Sequence, residues 1–126
     1  MVNPSIRILL VDNDSHYREA LLKYFSKYPD FAIYEASNGN EGINTARQVE
    51  PDLILSEYEI PVLNGLEFCR RIRNTPETRS AIFIFLAHSK DDKDKVAAFQ
   101  YGADDYIQKS TPPVILTSKI TAFLRI

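Results

Sequence analysis

Apolar runs of strand type alternate five times with segments whose apolar residues recur at helical spacing, and no other property of this chain narrows its fold as much. The runs are 6–11 (IRILLV), 31–36 (FAIYEA), 52–57 (DLILSE), 82–87 (IFIFLA) and 104–108 (DDYIQ without its first Asp counted as core). Three are almost continuously apolar and rich in β-branched or aromatic residues, the pattern of parallel strands covered on both faces. Between them, Tyr17, Ala20, Leu21, Tyr24, Phe25 and Tyr28 predict a helix over 15–28 that buries one face. Ile43 and Ala46 predict a second helix after the Asn38-Gly39 turn, and Leu66, Cys69 and Ile72 a third after Gly65. Val96, Phe99 and Ala103 mark a fourth, opened by Asp91 and Asp92 at its positive end. Leu116, Ile120, Phe123 and Leu124 mark a fifth, with Thr111 as the expected N-cap and Pro112-Pro113 in the first turn. Strand–helix repeated five times predicts an open α/β sheet with helices on both faces and right-handed crossovers.

The 126 residues suffice for one domain with a sizeable core and not comfortably for two. The chain ends with the fifth helix, so the expectation is a single domain over 1–126, free-standing or cut from a longer protein. A formal net charge of −2 gives no bulk reason for binding nucleic acid or an anionic membrane. The lone Cys69 cannot close an intramolecular disulfide and reads as a small core residue. The run 8–11 is too short for a signal peptide and stops at Asp12, and no stretch approaches a membrane span. A cytoplasmic location is expected.

In open α/β sheets, ligands bind beyond the carboxyl ends of the strands. Those ends carry Asp12-Asn13-Asp14, Glu57, Ala87-His88 and Lys109. With strands one and three adjacent, Asp12, Asn13 and Glu57 share one shallow pocket, within reach of Lys109.

The segments ILLVDND, PDLILSEYEIPVLNGLEF, IFIFLAHSKDD and GADDYIQKS, in that order and spacing, resemble the receiver domain of two-component response regulators, the CheY-like family, over essentially the whole chain. The resemblance implies a flavodoxin-like (βα)5 sheet of strand order 2-1-3-4-5. It also implies a pocket with two acids after strand one, a phosphoacceptor Asp ending strand three, a Thr or Ser ending strand four and a Lys-Pro pair ending strand five. A divalent cation, usually magnesium, sits among the acids of such proteins. A histidine kinase or phosphotransfer protein supplies the phosphoryl group. The added charge draws the hydroxyl and a strand-five aromatic inward and reshapes the face formed by helix four, strand five and helix five.

Matched residue by residue, the resemblance is partial. Asp12 stands for the first acid, Lys109 for the lysine and Tyr106 for the aromatic. Asn13 replaces the second acid, Glu57 the phosphoacceptor, Ala87 the switch hydroxyl and Ser110 the proline. Glu59 lies where a backbone carbonyl normally meets the metal. Phosphoryl transfer is mostly positioning and charge stabilisation. The extra methylene of Glu57 moves its carboxylate by roughly 1.5 Å, and a misplacement of ~1 Å can cost on the order of a hundredfold in rate. Asn13 offers a neutral amide to a cation that prefers carboxylates. The lost charge interaction is on the order of several kcal/mol before desolvation. Ala87 removes a donor that nothing else in the pocket replaces.

These departures predict an atypical receiver: non-enzymatic, weak at best for magnesium among Asp12, Asn13, Glu57 and Glu59, and not phosphorylated at the usual position. It would act through contacts with a signalling protein or an appended output domain, without binding nucleic acid or membrane itself. Its output surface would be helix four, strand five and helix five, with Phe99, Tyr101, Asp105, Tyr106 and Lys119, which is also the expected face for a homodimer. The alternative is a phosphorylatable receiver using Glu57, with a metal site rebuilt from Asp12, Asp14 or Glu59. A flavodoxin-like small-molecule binder fits the same fold, but Asp12-Asn13-Asp14 would repel a phosphate group without a metal. Glu57 and Lys109 are expected to pair, partly imitating a phosphorylated Asp with less charge. His16 and His88 flank the pocket without standard zinc spacing. Arg70, Arg71, Arg73 and Arg79 form a basic patch that reads first as a solvated helix face. Ser56, next to Glu57, should point to the opposite side of the sheet.

Overall fold

The computed structural model describes residues 6–60 and 63–126. Pro61, which the sequence places in the loop after the third strand, lies outside the described residues. Five strands, β1 (Ile6–Val11), β2 (Phe31–Ala36), β3 (Leu53–Glu57), β4 (Ile82–Ala87) and β5 (Asp105–Gln108), form one parallel sheet in the order β2-β1-β3-β4-β5. The helices are α1 (Ser15–Phe25), α2 (Gly39–Val49), α3 (Gly65–Asn74), α4 (Asp92–Gln100) and α5 (Pro113–Leu124). This is the five-stranded flavodoxin-like architecture expected from the alternation.

The alternating direction of strand side chains sorts the core into two layers. Leu9, Val11, Ile54, Phe83, Phe85, Ala87 and Tyr106 face Ala46 of α2, Phe68, Cys69 and Ile72 of α3 and Ala98 of α4. Ile8, Leu10, Leu53, Leu55, Ile84, Leu86 and Ile107 face Leu21 and Phe25 of α1 and Leu116 and Ile120 of α5. Burial on both faces explains why β1, β3 and β4 read as continuous apolar runs.

Helix starts follow local chemistry. Asp14, Asn38, Asn64 and Asp91 each accept a backbone N–H from the first turn of the helix they precede. After Asn64, only a glycine fits: a Cβ on Gly65 would lie 2.5 Å from the Tyr58 carbonyl oxygen. That close approach tucks α3 directly beneath the end of β3, where the pocket lies.

The structure corrects several boundaries and faces. Helix α1 stops at Phe25 rather than Tyr28 because Lys27 and Tyr28 make tight-turn bonds to Tyr24 and Phe25, and Pro29 follows. Its Ala20 is exposed. Thr111 does not cap α5: its N–H closes a turn onto Gln108, and the helical ladder begins at the Pro112 carbonyl, which accepts from Ile115 and Leu116. In α4 the small Ala98 faces the sheet, whereas Val96 and Phe99 are 54% and 50% exposed. Ala103 lies beyond the end of that helix. Among the described residues, no helix is long and apolar enough to cross a membrane.

Candidate functional site at the strand ends

Register sets the geometry of the site. Val11 of β1 pairs with Ser56 of β3, so the next residues, Asp12 and Glu57, emerge side by side. Ala87 of β4 pairs with Gln108 of β5, and the Lys109 N–H then bonds the Ala87 carbonyl at 2.8 Å. Lys109 therefore starts two strands away from Glu57. Its chain crosses the tip of β4, where Ala87 contributes only a methyl group.

The lysine ammonium ends between the two carboxylates. Lys109 Nζ lies 2.6 Å from Glu57 Oε2 and 2.8 Å from Asp12 Oδ2, and its side chain is 5% exposed. The contact with Glu57 is an aligned hydrogen bond. The contact with Asp12 is as close but poorly angled, leaving Asp12 Oδ2 buried without an aligned protein donor. Asp12 Oδ1 accepts the Asp14 N–H at 2.8 Å. The Tyr17 ring of α1 closes the remaining side, with Nζ 4.6 Å from its centroid.

Burial governs the ionisation of these groups. It raises the Asp12 carboxyl, with Glu57 adding to the rise, while Lys109 and the Asp14 amide oppose it without cancelling it. Burial alone would lower Lys109, but the close contacts and negative charges of Asp12 and Glu57 outweigh it and hold the ammonium above the ordinary lysine range. Burial, followed by the Asp12 charge, pushes the Tyr17 hydroxyl up.

The other expected members stand apart. Asn13 is exposed. Asp14 is used as the α1 cap, accepting from His16 and Tyr17. The Glu59 carboxylate accepts the His88 N–H at 3.2 Å. Ser56 lies on the opposite layer from Glu57 and donates to the Glu57 carbonyl. His16 and His88 are exposed, and the described residues contain no group of three or more His, Cys, Asp or Glu placed to hold a metal.

Magnesium, which the resemblance implies, does not fit this donor set. A divalent cation would need the oxygens that Asp12 and Glu57 direct at Lys109, and neither Asn13 nor Asp14 supplies a substitute.

The expected output face changes in one respect. Phe99 and Tyr101 are exposed, and Asp105 pairs with Lys119 at 2.9 Å. Tyr106 is buried instead of presented, its hydroxyl donating to the Ser89 carbonyl at 2.8 Å. Arg73 likewise leaves the basic patch: it bonds the carbonyls of Gly102, Arg79 and Ala81 and the carboxylate of Asp104.

Tyr17 was missed as a site residue: from sequence it reads as a packing aromatic of α1, and a ring set over an ammonium leaves no signal in spacing.

The family model for the response regulator receiver domain matches residues 8–121. The transcriptional regulatory protein ResD of Bacillus subtilis is 34% identical over 119 residues, 94% of this chain and 48% of that protein. The nitrate/nitrite response regulator protein NarL of Escherichia coli K12 is 36% identical over 107 residues, 84% of this chain and 49% of that protein. The chain thus spans about half the length of the curated relatives it matches. Among solved structures, a two-component response regulator from Clostridium difficile superposes with a TM-score of 0.87 at 28% identity, covering 95% of this chain and 96% of that one. The signal receiver domain of a signal transduction histidine kinase from Syntrophus aciditrophicus gives 0.83 at 29% identity, covering 94% and 89%.

Proposed function

Since this chain belongs to the response regulator receiver domain family and is a receiver of two-component phosphorelay signalling, we propose that it is a member whose acceptor position takes no phosphoryl group and which signals through protein contacts. The observation that carries this reading is the closed ion triad. The carboxylate that would attack phosphorus is held 2.6 Å from a buried ammonium, with the charge of Asp12 directed at the same nitrogen. An attacking oxygen must be free to approach in line, and transfer depends on its placement. Ala87 also leaves no hydroxyl to donate a hydrogen bond to a transferred group.

Receiver domains work with histidine kinases and output domains. For this chain the partner surface is the outer side of α4, β5 and α5. Val96, Phe99, Tyr101 and Ile115 are exposed on or next to these elements, and Asp105 of β5 pairs with Lys119 of α5. A signalling protein, an appended output domain or a second copy would dock on this face, and nucleic acid and membrane would not. Magnesium binding would be weak or absent, and no catalytic role is assigned.

The test is incubation with magnesium and acetyl phosphate, read by intact mass. The expected result is no adduct. A stoichiometric phosphoryl adduct on Glu57 overturns the proposal in favour of a phosphorylatable Glu57 with a rebuilt metal site. That second reading further requires magnesium binding by calorimetry, lost in Glu57→Gln.

A further inference from the structure

The loop between β4 and α4 is held by a set of contacts that never touches the Glu57 side chain or Lys109. Asp94, in the first turn of α4, accepts the Ser89 hydroxyl on Oδ2 at 2.6 Å and the Tyr58 hydroxyl on Oδ1 at 3.3 Å. Ser89 Oγ in turn accepts the Asp91 N–H at 3.1 Å. The Ser89 carbonyl accepts the Tyr106 hydroxyl at 2.8 Å. Tyr58 stands edge-on to both Tyr106 and Phe85, with centroids 5.4 Å and 5.2 Å away. One carboxylate thereby ties together the residue after β3, the loop after β4 and, through Ser89, the aromatic of β5.

We propose that Asp94 is a positioning residue that clamps the β4–α4 loop and keeps Tyr106 buried without any group bound or transferred at the strand-end pocket. Three features support it. Hydrogen bonds to a carboxylate are the stronger kind. Ser89 uses its hydroxyl as donor and acceptor and its carbonyl as acceptor, so its position is fixed from three sides. Ala87 supplies no hydroxyl to compete for the loop. Burial, with the Asp94 charge next, pushes the Tyr58 hydroxyl up to about 12, which keeps it a donor over the ordinary pH range. The consequence falls on α4: the helix that carries the clamp also carries Val96 and Phe99 outward, so a partner meets one fixed face. The clamp is independent of whether Glu57 accepts a phosphoryl group.

The test compares the wild-type chain with Asp94→Ala, Ser89→Ala and Glu57→Gln. Amide hydrogen exchange is followed over 89–94, and hydroxyl-radical footprinting is read at the Tyr106 ring. Loss of one charge-assisted hydrogen bond should open the loop about tenfold more often. Asp94→Ala and Ser89→Ala are therefore expected to raise loop exchange about tenfold and to expose Tyr106, with β1 and β3 amides unchanged. Glu57→Gln should leave both readouts at the wild-type level. Unchanged Tyr106 footprinting in Asp94→Ala overturns the proposal, as does equal exposure in Glu57→Gln. If Asp94→Ala does not unfold cooperatively, Ser89→Ala decides by the same criteria. Phosphorylation of Glu57 would overturn the proposed function and leave this result untouched.

Discussion

Lys109 Nζ sits 2.6 Å from Glu57 Oε2, although a whole strand separates the two residues in the sheet. The reach depends on three side chains at once. Glu57 extends one methylene further than aspartate would, Ala87 leaves the tip of β4 low, and Tyr17 backs the ammonium from α1. Two of these, Glu57 and Ala87, are departures from the family pattern, and with Tyr17 they frame one internal ion triad of Lys109, Glu57 and Asp12.

Removing the cation leaves two buried carboxylates facing each other. Lys109→Met is expected to cost about 3–5 kcal/mol, as breaking a buried pair does, measured by urea unfolding at neutral pH. The pH dependence follows from the raised Lys109 pKa. The contribution of Lys109 is complete below the ordinary lysine value of 10.5 and is lost as pH rises through the higher folded value. The stability gap between wild type and Lys109→Met should stay constant from neutral pH to 10.5 and shrink above it. Asp12 works in the opposite sense to a usual salt-bridged acid. Its raised pKa means the folded chain binds the proton first, so its contribution falls as pH rises through the window above 3.8.

Shortening the strand-end acid and restoring the second acid should reopen the pocket. Glu57→Asp draws the carboxylate back by roughly 1.5 Å, away from Lys109, and Asn13→Asp adds a metal-binding charge. The double variant is expected to label from acetyl phosphate with magnesium at least on the order of a hundredfold faster than wild type. Intact-mass time courses check this, and equal rates would show that the pocket is not what limits transfer.

Arg73 is a staple. Its guanidinium bonds three backbone carbonyls, of Gly102 at 2.9 Å, Arg79 at 2.8 Å and Ala81 at 2.5 Å, and pairs with Asp104 at 3.0 Å. Arg73→Ala should cost about 2–4 kcal/mol by leaving partly buried carbonyls unpaired. Arg73→Lys should recover little of it, because a single ammonium cannot span a planar fork. Thermal and urea unfolding of both variants distinguish this from a solvated patch, where each change would be nearly neutral.

Glu50 closes α2 in the left-handed region at φ 47°. Its exposed side chain gains nothing there that a glycine would lose. Glu50→Gly should stabilise the chain by about 0.5–1 kcal/mol, the relief of left-handed strain less the added freedom of the unfolded chain. A fall in the urea midpoint would refute this.

Much of the architecture was legible because it is written locally. The apolar runs and the helical spacing named all five strands and all five helices, and Asp91 and the Asn38-Gly39 turn marked helix starts. The errors came where a neighbour in space overrode a local pattern. Val96 and Phe99 have the spacing of a buried face, yet Ala98 meets the sheet because α4 packs close to β5. Thr111 has cap chemistry, but the helical ladder starts one residue later, at the Pro112 carbonyl. At the site, Asp12, Glu57 and Lys109 were identifiable as strand-end residues. The roles of Tyr17 and Asp94 were not, because a ring over an ammonium or a carboxylate on a distant helix leaves no trace in spacing.

From sequence alone, then, come the layering of the fold, the strand-end position of the charged residues and the chemical identities at 13, 57 and 87. Each depends on periodicity or on a single side chain. Only the tertiary structure decided which charges meet. The contact from Lys109 to Glu57 joins residues 52 apart, and it exists because β4 lies between β3 and β5 in a fixed register. Asp94 reaches Tyr58 over 36 residues for the same reason. Local pattern carries burial but not lateral order, and lateral order is what turned two separate acids and one amine into one closed pocket.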